Sequence, residues 1–571
     1  MSLPRSSLFR PSPAWLATLV LALTGCASTP PPPPTELSIF SINDFHGHIQ
    51  PKSPVPLMPR LPDPKTGEIK PQPAGGAAYL ATVLDGLRAK QPNSVFVAAG
   101  DLMGASPQLS SLLADEPTLS ALSAMGLDAS SLGNHDLDAG LTELLRKSRG
   151  ECAPTGCVWP EFKGATFPYL AVNMLDAETG KTILPTHKIV TVGGMKVALV
   201  GAVTKDTPKV IVAKAIRGLK FIDEADAMNA LIPQVRAEGA QLLVAIMHEG
   251  SVFDGPANDP TYACEGLRSR GGDIANRLDP AYGIIISGHT HQAYTCKING
   301  RLLVQAGSFG GWVTESRLKV TSTGQVVDAQ AVNHPVLQAT TVPNPAFVAL
   351  VQRAGELTNQ VRNRPIAKLS KGATRGTALP FGDSTVGNLI TDAQLGYAKK
   401  RGVADVAFIN SGGIRADLTV EPGKPVTMGE LFAIQPFGNE LIVMTLTGAQ
   451  LREVVERQLP KTALSPTVVA VPRRFAQVSN NFRFQYSQAP NGISTLTSLT
   501  LDGQPLVDTK DYRVVVNNFM AEGGDDFSVF RQGRDKVNLG VDVDALVEWL
   551  AENPNAMDQI QPGRIVRTEG K

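Results

Sequence analysis

The chain has 571 residues, of which 43% are hydrophobic and 18% charged, and its formal net charge is +1. A chain of this length exceeds what one hydrophobic core supports, so we expect at least two domains. The balanced charge, with no long run of one sign, excludes the basic footprint of a protein that binds nucleic acid polymers.

The first predicted element is a secretion signal. Arg5 and Arg10 precede the apolar run AWLATLVLAL, and small residues follow it up to Cys26. A basic segment, a short apolar segment and a small-residue cleavage point are typical of a signal peptide, which we place at residues 1–26. The apolar run is too short to span a bilayer comfortably.

The residues around Cys26 indicate how the protein is attached to a membrane. The sequence Leu-Thr-Gly-Cys resembles a bacterial lipobox. This resemblance implies a lipidated Cys26 and a lipid anchor as the only contact with a membrane. Ala27 in place of Asp implies the outer membrane of the cell envelope, facing periplasm or exterior; an ordinary signal peptide with an incidental cysteine is the alternative. Five prolines at 30–34 predict a stiff, extended spacer over residues 27–35.

Cysteine usage fits an oxidising compartment. Besides Cys26 the chain has four cysteines, an even number, as expected where disulfides form. We predict the pairs Cys152–Cys157 and Cys264–Cys296, which by loop entropy would contribute about 2 and about 3–4 kcal/mol. A cysteine-rich metal site is the alternative, but the sequence contains no CxxC motif.

From residue 36 onward, short apolar runs alternate with helical stretches. The runs are LSIFSIND, SVFVAAGD, MKVALVGAVT, AQLLVAIMHEG and AYGIIISGHTH. Runs of this length and composition predict strands buried on both faces of α/β layers. Ligand-binding residues gather at the carboxyl ends of such strands, and here polar residues follow every run.

The character of the sequence changes near residue 335. The stretch NPAFVALVQRAGELTNQVRN predicts one helix that connects two regions. We therefore divide the mature chain into a first domain over residues 36–337, a connector helix over 338–365 and a second α/β domain over 366–571.

Metal-ligand residue types are concentrated at the strand ends. Five of the eight histidines lie there. The residues are Asp44, His46, Asp101, Asn134, His135, His248, His289 and His291. In D-x-H and H-T-H the first and third residues would share one face of an extended strand. A bridging carboxylate with imidazole and oxygen ligands is what a pair of divalent cations needs, and the set suits Zn, Mn, Fe or Co.

The order D-x-H, GD, GNHD, H and GHxH resembles the signature of calcineurin-like metallophosphoesterases, and GNHDLDAG resembles the matching segment of 5′-nucleotidases and UDP-sugar hydrolases. The resemblance implies a four-layer αββα metallophosphoesterase domain, a C-terminal α/β nucleotide-binding domain and two divalent ions (Zn, Mn, Co or Mg). One ion would take Asp44, His46, Asp101 and His291. The other would take Asp101, Asn134, His248 and His289. His291 replaces the glutamine that many members carry.

His135 and Asp138 are the predicted catalytic residues. His135 would hydrogen-bond the phosphoryl oxygens, while Asp138 would orient its imidazole and favour the protonated form. The alternative for Asp138 is a helix N-cap. We expect the intervening Asp136 to face outward or to cap.

The second region carries a predicted nucleoside site. Glycine-rich INSGGIRADL brings backbone close to a ligand, and phenylalanines beside glycine-rich turns can stack on a base; core packing is the alternative for either phenylalanine. The resemblance implies these substrate-binding residues: Asn410, Gly413, Arg415, Phe437, Phe519 and Asp525. Relatives often have a second arginine where Pro380 stands here, and Arg375 is the nearest candidate for its role.

The resemblance implies an enzyme that hydrolyses nucleoside 5′-monophosphates with metal-activated water, after one domain rotates to close on the small-molecule substrate. The same fold could instead serve a 2′,3′-cyclic-nucleotide phosphodiesterase/3′-nucleotidase, or a pyrophosphatase of UDP-sugars or NAD. A lipoprotein that binds nucleosides without turnover is a further alternative. The sequence leaves the preferred nucleotide and the oligomeric state open.

Overall fold

A computed structural model describes residues 33–51, 60–62, 69–153, 156–376, 382–402, 404–461 and 475–569. The predicted signal peptide, Cys26 and most of the proline run lie outside these residues, as does Pro380. Among the described residues, no helix combines the length and apolar character needed to cross a bilayer.

The N-terminal half alternates strands and helices. Its strands are β1 (Thr35–Ile42), β2 (Arg60–Pro62), β3 (Ile69–Pro71), β4 (Ser94–Ala99), β5 (Ala129–Ser131), β6 (Tyr169–Leu170), β7 (Met174–Asp176), β8 (His187–Val192), β9 (Met195–Val203), β10 (Leu219–Phe221), β11 (Leu242–His248), β12 (Tyr282–Ser287), β13 (Ala293–Ile298), β14 (Arg301–Ala306), β15 (Trp312–Val320) and β16 (Val326–Pro335). Its helices are α1 (Ala77–Arg88), α2 (Gln108–Ser111), α3 (Glu116–Ala124), α4 (Leu141–Arg149), α5 (Thr207–Val210), α6 (Glu224–Ala237), α7 (Arg270–Arg277) and α8 (Pro345–Arg362), with 3-10 turns at His135–Leu137 and Ala213–Ile216.

Two six-stranded sheets stand at the centre of this half. Their strand orders are β16-β15-β1-β4-β5-β6 and β13-β14-β12-β11-β9-β8. In the first, β1, β4, β5 and β6 are parallel; in the second, β9, β11, β12 and β14 are parallel. The carboxyl ends of the parallel strands therefore lie along one edge of each sheet, where the predicted ligands follow.

Strand β11 shows how the layers stack. Val244 and Ile246 belong to the core between the two sheets, together with Ile39 of β1. Leu243, on the opposite face, packs in a core with Met228 of α6. Helices α1, α3 and α8 cover the outer face of the first sheet. The predicted four-layer αββα arrangement is confirmed.

Helix α8 begins where the sequence predicts. The Asn344 side chain accepts a hydrogen bond from the Ala346 N–H, and Pro345 occupies the first turn, where its missing N–H costs nothing. The helix contacts α1, α2 and α3 and also α10 (Met428–Ile434) of the C-terminal half. It thus touches both halves of the chain.

The C-terminal half is also α/β. Its strands are β17 (Pro365–Ala367), β18 (Val406–Ile409), β19 (Val426–Thr427), β20 (Glu440–Thr447), β21 (Gln477–Val478), β22 (Phe482–Gln488), β23 (Ser494–Leu501), β24 (Gln504–Pro505), β25 (Asp511–Asn517), β26 (Arg534–Val541) and β27 (Ile565–Glu569). Besides α10, its helices are α9 (Thr385–Lys400), α11 (Gly448–Glu456), α12 (Asn518–Ala521), α13 (Asp542–Glu552) and α14 (Ala556–Gln559), with 3-10 turns at Ser411–Gly413, Gly524–Asp526 and Ser528–Gln532.

A five-stranded sheet, β21-β18-β25-β20-β26, and a four-stranded sheet, β24-β23-β22-β27, organise this half. Helix α9 packs on β18, β21 and α13 and is buried along most of its length. The substrate-binding candidates lie in the turns that follow β18, in the short helix α12 and the 3-10 turn that follow β25, and on the loop that precedes β20.

Both predicted disulfides are present in the described residues. Cys152 pairs with Cys157 and Cys264 pairs with Cys296, with Cα–Cα distances of 4.6 and 5.6 Å. Cys264 and Cys296 are buried in the core beneath the second sheet.

Candidate functional site

Most of the candidate metal ligands lie on turns just beyond the strand ends, whereas His248 is the last residue of β11. Asp44, His46, Asp101, His289 and His291 all have a left-handed backbone, with φ between 46° and 70°. The expectation that D-x-H lies on one face of an extended strand is wrong, because β1 ends at residue 42. Left-handed residues turn the chain sharply, and these turns bring the side chains together.

One cluster consists of Asp44, His46 and His291. The two imidazole Nε2 atoms are 3.2 Å apart, and Nε2 of His291 lies 3.3 Å from Oδ1 of Asp44. Nδ1 of His46 lies 2.9 Å from the Gly104 carbonyl oxygen. That contact assigns the proton to Nδ1 and leaves Nε2 free to coordinate an ion.

The second cluster joins Asp101, His248 and His289. Nε2 of His248 lies 3.1 Å from Oδ2 of Asp101 and 3.0 Å from Oδ1 of Asn134. Nδ1 of His248 is 2.7 Å from the Ala99 carbonyl oxygen, so this imidazole is oriented in the same way as His46.

Asp101 lies between the clusters. Its Oδ2 is 3.5 Å from Nε2 of His46 and 3.1 Å from Nε2 of His248. Its Oδ1 accepts the His135 N–H at 2.8 Å. The His135 N–H thus holds Oδ1, and Oδ2 faces both clusters, as the oxygen of a bridging ligand would.

The electrostatics of these residues fit a pair of divalent cations. Burial lowers the pKa of His46 well below its usual value, which keeps the imidazole neutral and able to coordinate. Burial pushes the pKa of Asp101 upward, but the neighbouring His248 and His135 outweigh it and hold the pKa well below its usual value. Oδ1 of Asp44 is buried and makes no hydrogen bond among the described residues. An unsatisfied buried oxygen facing two imidazoles is the environment that a cation would complete.

Asp136 contradicts its prediction. It does not face outward or cap a helix; it is 4% exposed. Its Oδ1 accepts the N–H groups of Leu102 and Met103, and its Oδ2 accepts those of Asp101 and Gly133, at 2.8–3.1 Å. Burial, with a contribution from Asp101, raises its pKa to about 7. Asp136 therefore joins the loop after β4 to the loop that carries Asn134.

His135 is oriented by Asp138. Its Nδ1 lies 3.0 and 3.1 Å from the two carboxylate oxygens. Burial lowers the pKa of His135, but Asp138 and Asp101 outweigh it and the net pKa is raised, which favours the imidazolium. Asp138 is not the cap of the following helix, since Gly140 occupies the N-cap of α4.

A cavity of about 210 Å³ connects the clusters with the C-terminal half. It is lined from both halves of the chain. The lining residues are Asp101, Asn134, His135, Asp138, Val210, Ile211, Val212, His289, His291, Asn410, Gly412, Gly413, Arg415, Phe437, Asn439, Phe519 and Asp525. All six predicted substrate-binding residues and both predicted catalytic residues are therefore at one cavity.

Comparison with known proteins agrees with this arrangement. The family model "Calcineurin-like phosphoesterase" matches residues 37–293, and "5′-nucleotidase, C-terminal domain" matches residues 365–532. Over 96% of this chain and 98% of its own length, the 5′-nucleotidase of Vibrio vulnificus is 26% identical. The chain belongs to the 5′-nucleotidase family of calcineurin-like phosphoesterases. It is therefore a phosphoester hydrolase.

Some relatives are much longer than this chain. "Endonuclease YhcR" of Bacillus subtilis is 28% identical over 95% of this chain, but this chain spans only 42% of that protein. A solved 5′-nucleotidase precursor of Thermus thermophilus matches 94% of this chain and 100% of its own chain, with 23% identity and a TM-score of 0.73. That likeness shows a shared fold.

The substrate side of the site differs in detail from what the motifs suggested. Asn410 already has two partners, because its Nδ2 donates to Oδ2 of Asp525 at 2.6 Å and its Oδ1 accepts from Asn517 at 3.0 Å. The Phe437 ring lies 5.6 Å from the His135 ring and 5.6 Å from the Arg415 guanidinium carbon. Phe437 therefore lies beside His135 and Arg415, the two candidates for binding a phosphoryl group.

Phe519 and Arg375 are also fixed by their surroundings. A Cβ on Gly524 would lie 2.3 Å from the Phe519 ring, so this ring needs glycine beside it. Arg375 donates to the Arg415 carbonyl oxygen at 3.3 Å. Arg375 is absent from the residues that line the described cavity, so its contact with the site runs through the Arg415 backbone.

Sequence reasoning missed four cavity residues: Val210, Ile211, Val212 and Asn439. The three aliphatic residues lie in TPKVIVAKAI, which carries no recognisable site motif. Asn439 lies two residues after Phe437 in the motif IQPFGN. Its position next to a predicted substrate-binding residue could have indicated that it lines the site.

Proposed function

We propose that this chain hydrolyses nucleoside 5′-monophosphates to nucleoside and phosphate. One observation carries the proposal: members of both metal-ligand clusters (Asp101 and His289 of one, His291 of the other) line the same cavity as the aromatic pair Phe437 and Phe519. A single nucleotide could therefore contact the groups that would hold its phosphoryl unit and the rings that would hold its base.

The substrate would be held at both ends. Aromatic rings stack on any base, and an arginine guanidinium can pair with phosphate oxygens. Partial desolvation at the cavity raises the pKa of Asp525, although its side chain still opens to solvent. Asp525 would accept ribose hydroxyls, with Asn410 fixing its orientation through their hydrogen bond.

Two divalent cations, held by the ligands described above, would supply charge neutralisation and a water nucleophile of lowered pKa. The proposed set is Zn, Mn, Co or Mg. His135 would act beside them. With Nδ1 facing Asp138, its other ring nitrogen is available to donate to a phosphoryl oxygen as negative charge develops there.

A substrate panel with added Mn, Zn or Mg tests the proposal. The panel compares AMP, 3′-AMP, cyclic AMP isomers, UDP-glucose, NAD and a single-stranded oligonucleotide. We expect AMP to have the highest kcat/KM. Preferential cleavage of cyclic nucleotides, of UDP-glucose or NAD, or of the oligonucleotide would replace this proposal with the corresponding activity.

Metal removal separates an enzyme from a nucleoside-binding lipoprotein. EDTA should abolish phosphate release, while adenosine binding measured by calorimetry persists, because the proposed stacking and ribose contacts come from the C-terminal half and none of the groups that contact the nucleoside is a metal ligand. Asp101→Asn should behave like EDTA treatment, and Asp85→Asn, an exposed position on α1, is the matched control. Adenosine binding without release of phosphate from any substrate would favour the binding protein.

We also propose that the protein is anchored by a lipid on Cys26 and resides in the bacterial cell envelope, at the outer membrane. The support is the lipobox-like sequence and the oxidised cysteines. Labelled palmitate should enter the wild-type chain and be absent from Cys26→Ser, which should fractionate with the soluble envelope contents. Equal labelling of both chains would contradict the anchor.

A further inference from the structure

The segment Thr207–Ala213 leaves the phosphoesterase half and reaches the C-terminal half. It begins with the short helix α5, which lies against the 3-10 turn Gly524–Asp526. Its residues Val210, Ile211 and Val212 line the same cavity as the aromatic pair and four of the candidate metal ligands, which are Asp101, Asn134, His289 and His291. The segment therefore contributes an aliphatic surface to a site whose other apolar surface comes from phenylalanines.

The phosphoesterase half fixes the backbone of this segment. The Thr207 hydroxyl donates to the Thr204 carbonyl oxygen at 2.7 Å, and the Ile211 N–H donates to the Thr207 carbonyl oxygen at 3.0 Å. Ile211 is 4% exposed and belongs to the same core as Leu137. Because Ile211 is anchored, its neighbours Val210 and Val212 have a defined position at the cavity.

One hydrogen bond joins the end of the segment to residues 519–525, which we call the nucleoside-binding loop because it begins with Phe519 and ends with Asp525. The Ala213 N–H donates to Oε2 of Glu522 at 2.9 Å. Glu522 directly follows α12, the helix that contains Phe519, and it precedes Asp525 by three residues. The bond therefore connects the phosphoesterase half to the chain between two substrate-binding candidates.

We propose that Val210 and Val212 form a third wall of the nucleoside site, and that the Ala213–Glu522 hydrogen bond holds this wall against the nucleoside-binding loop when the cavity is assembled. The inference rests on the proposed function for the identity of the ligand. An aliphatic wall favours substrates with an apolar base over sugar phosphates or small esters, since apolar contact is lost when the base is absent.

Val212→Thr tests the wall, because threonine keeps the shape of valine and adds a hydroxyl. The measured quantity is the ratio of kcat/KM for AMP to kcat/KM for ribose 5-phosphate, which keeps the sugar and the phosphate of AMP but lacks the base. We expect this ratio to fall roughly three- to tenfold, while the exposed control Val342→Thr leaves it at the wild-type value. An unchanged ratio in Val212→Thr would overturn the wall.

Ala213→Pro and Glu522→Ala test the hydrogen bond. Proline removes only the donor, because Ala213 begins a 3-10 turn and Val212 has φ −59° and ψ 127°, which a residue before proline tolerates. Each variant should lower kcat/KM roughly three- to tenfold, and the double variant should be no worse than the poorer single variant. Ala213→Ser and Glu522→Gln retain donor and acceptor and serve as controls. If the losses in kcat/KM of the two single variants add in the double variant, the hydrogen bond does not hold the wall in place.

The two tests separate this inference from the proposed function. If the wild-type protein hydrolyses p-nitrophenyl phosphate but no nucleotide, the proposed function fails, and the wall loses its ligand with it. The cycle with Ala213→Pro and Glu522→Ala can still be measured on p-nitrophenyl phosphate in that case. If the two variants are coupled with this substrate, the hydrogen bond remains the contact that assembles the cavity. If their effects are additive, the inference fails entirely.

Discussion

Replacing Asp136 by Asn should weaken both the fold and the metal centre. In the wild type each carboxylate oxygen accepts two backbone N–H groups. Asparagine keeps one oxygen and turns an NH₂ group toward the other two N–H donors. Two buried N–H groups are then left without acceptors, at about 1–3 kcal/mol each, so we expect a loss of about 2–6 kcal/mol in the free energy of unfolding.

The same substitution should reduce metal affinity, although Asp136 is not a predicted ligand. It holds the Asp101 N–H, and losing a partner that orients a ligand typically weakens binding about 10–100-fold. Urea unfolding measures the stability, and competition with a chromogenic chelator measures the affinity for Mn or Zn.

Asp85→Asn is the control for Asp136→Asn, because it makes the same chemical change at an exposed site. The reasoning is refuted if Asp136→Asn unfolds within about 0.5 kcal/mol of Asp85→Asn, the usual range of neutral surface changes, and binds metal equally well.

Four further outcomes are expected. His135→Ala should cut kcat about 10²–10⁴-fold with metal content unchanged by elemental analysis; full activity would remove His135 from the mechanism. Gly133→Ala should abolish metal binding measured in the same way, since its Cβ would lie 2.0 Å from the Asp101 nitrogen. Burial raises the pKa of Asp542 to about 8, above its unfolded value of about 3.9, so its contribution to stability declines as the pH rises from about 4 to 8. Asp542→Asn should therefore gain stability relative to wild type in urea unfolding between pH 5 and 9, and a constant difference would contradict this. Removing Cys264–Cys296 with a double alanine variant should cost about 3–4 kcal/mol by loop entropy, more than removing the shorter disulfide loop, as thermal unfolding can compare.

The sequence was sufficient to single out the candidate ligands but not to predict the backbone that presents them. Apolar strands predicted where the parallel sheet edges lie, and polar residues beyond them marked the site. The left-handed conformation of Asp44 and His46 was not predicted, because neither residue type requires it. Gly47 and Gly100, both at positive φ, are the local signs that the chain turns sharply there.

Residues whose roles depend on distant chain segments could not be read from motifs. An acidic residue between Asn134 and Asp138 suggests a solvent-exposed loop, since a buried carboxylate is unfavourable without partners. The partners of Asp136 come largely from the loop after β4, more than thirty positions earlier. Val210 and Val212 are a similar case, because their surface matters only where the C-terminal half approaches.

The loops that carry Asp101 and His135 act as one structural unit. Gly133 lies so close to Asp101 that no side chain fits between the two backbones. This approach allows a reciprocal pair of contacts: Asp136 accepts the Asp101 N–H, and Asp101 accepts the His135 N–H. The Asp101 carboxylate and the His135 imidazole are thus placed by the same pair of contacts. Disturbing either loop should therefore displace both groups, and variants at Asp136 and His135 should combine non-additively in kcat, whereas distant and independent sites would add.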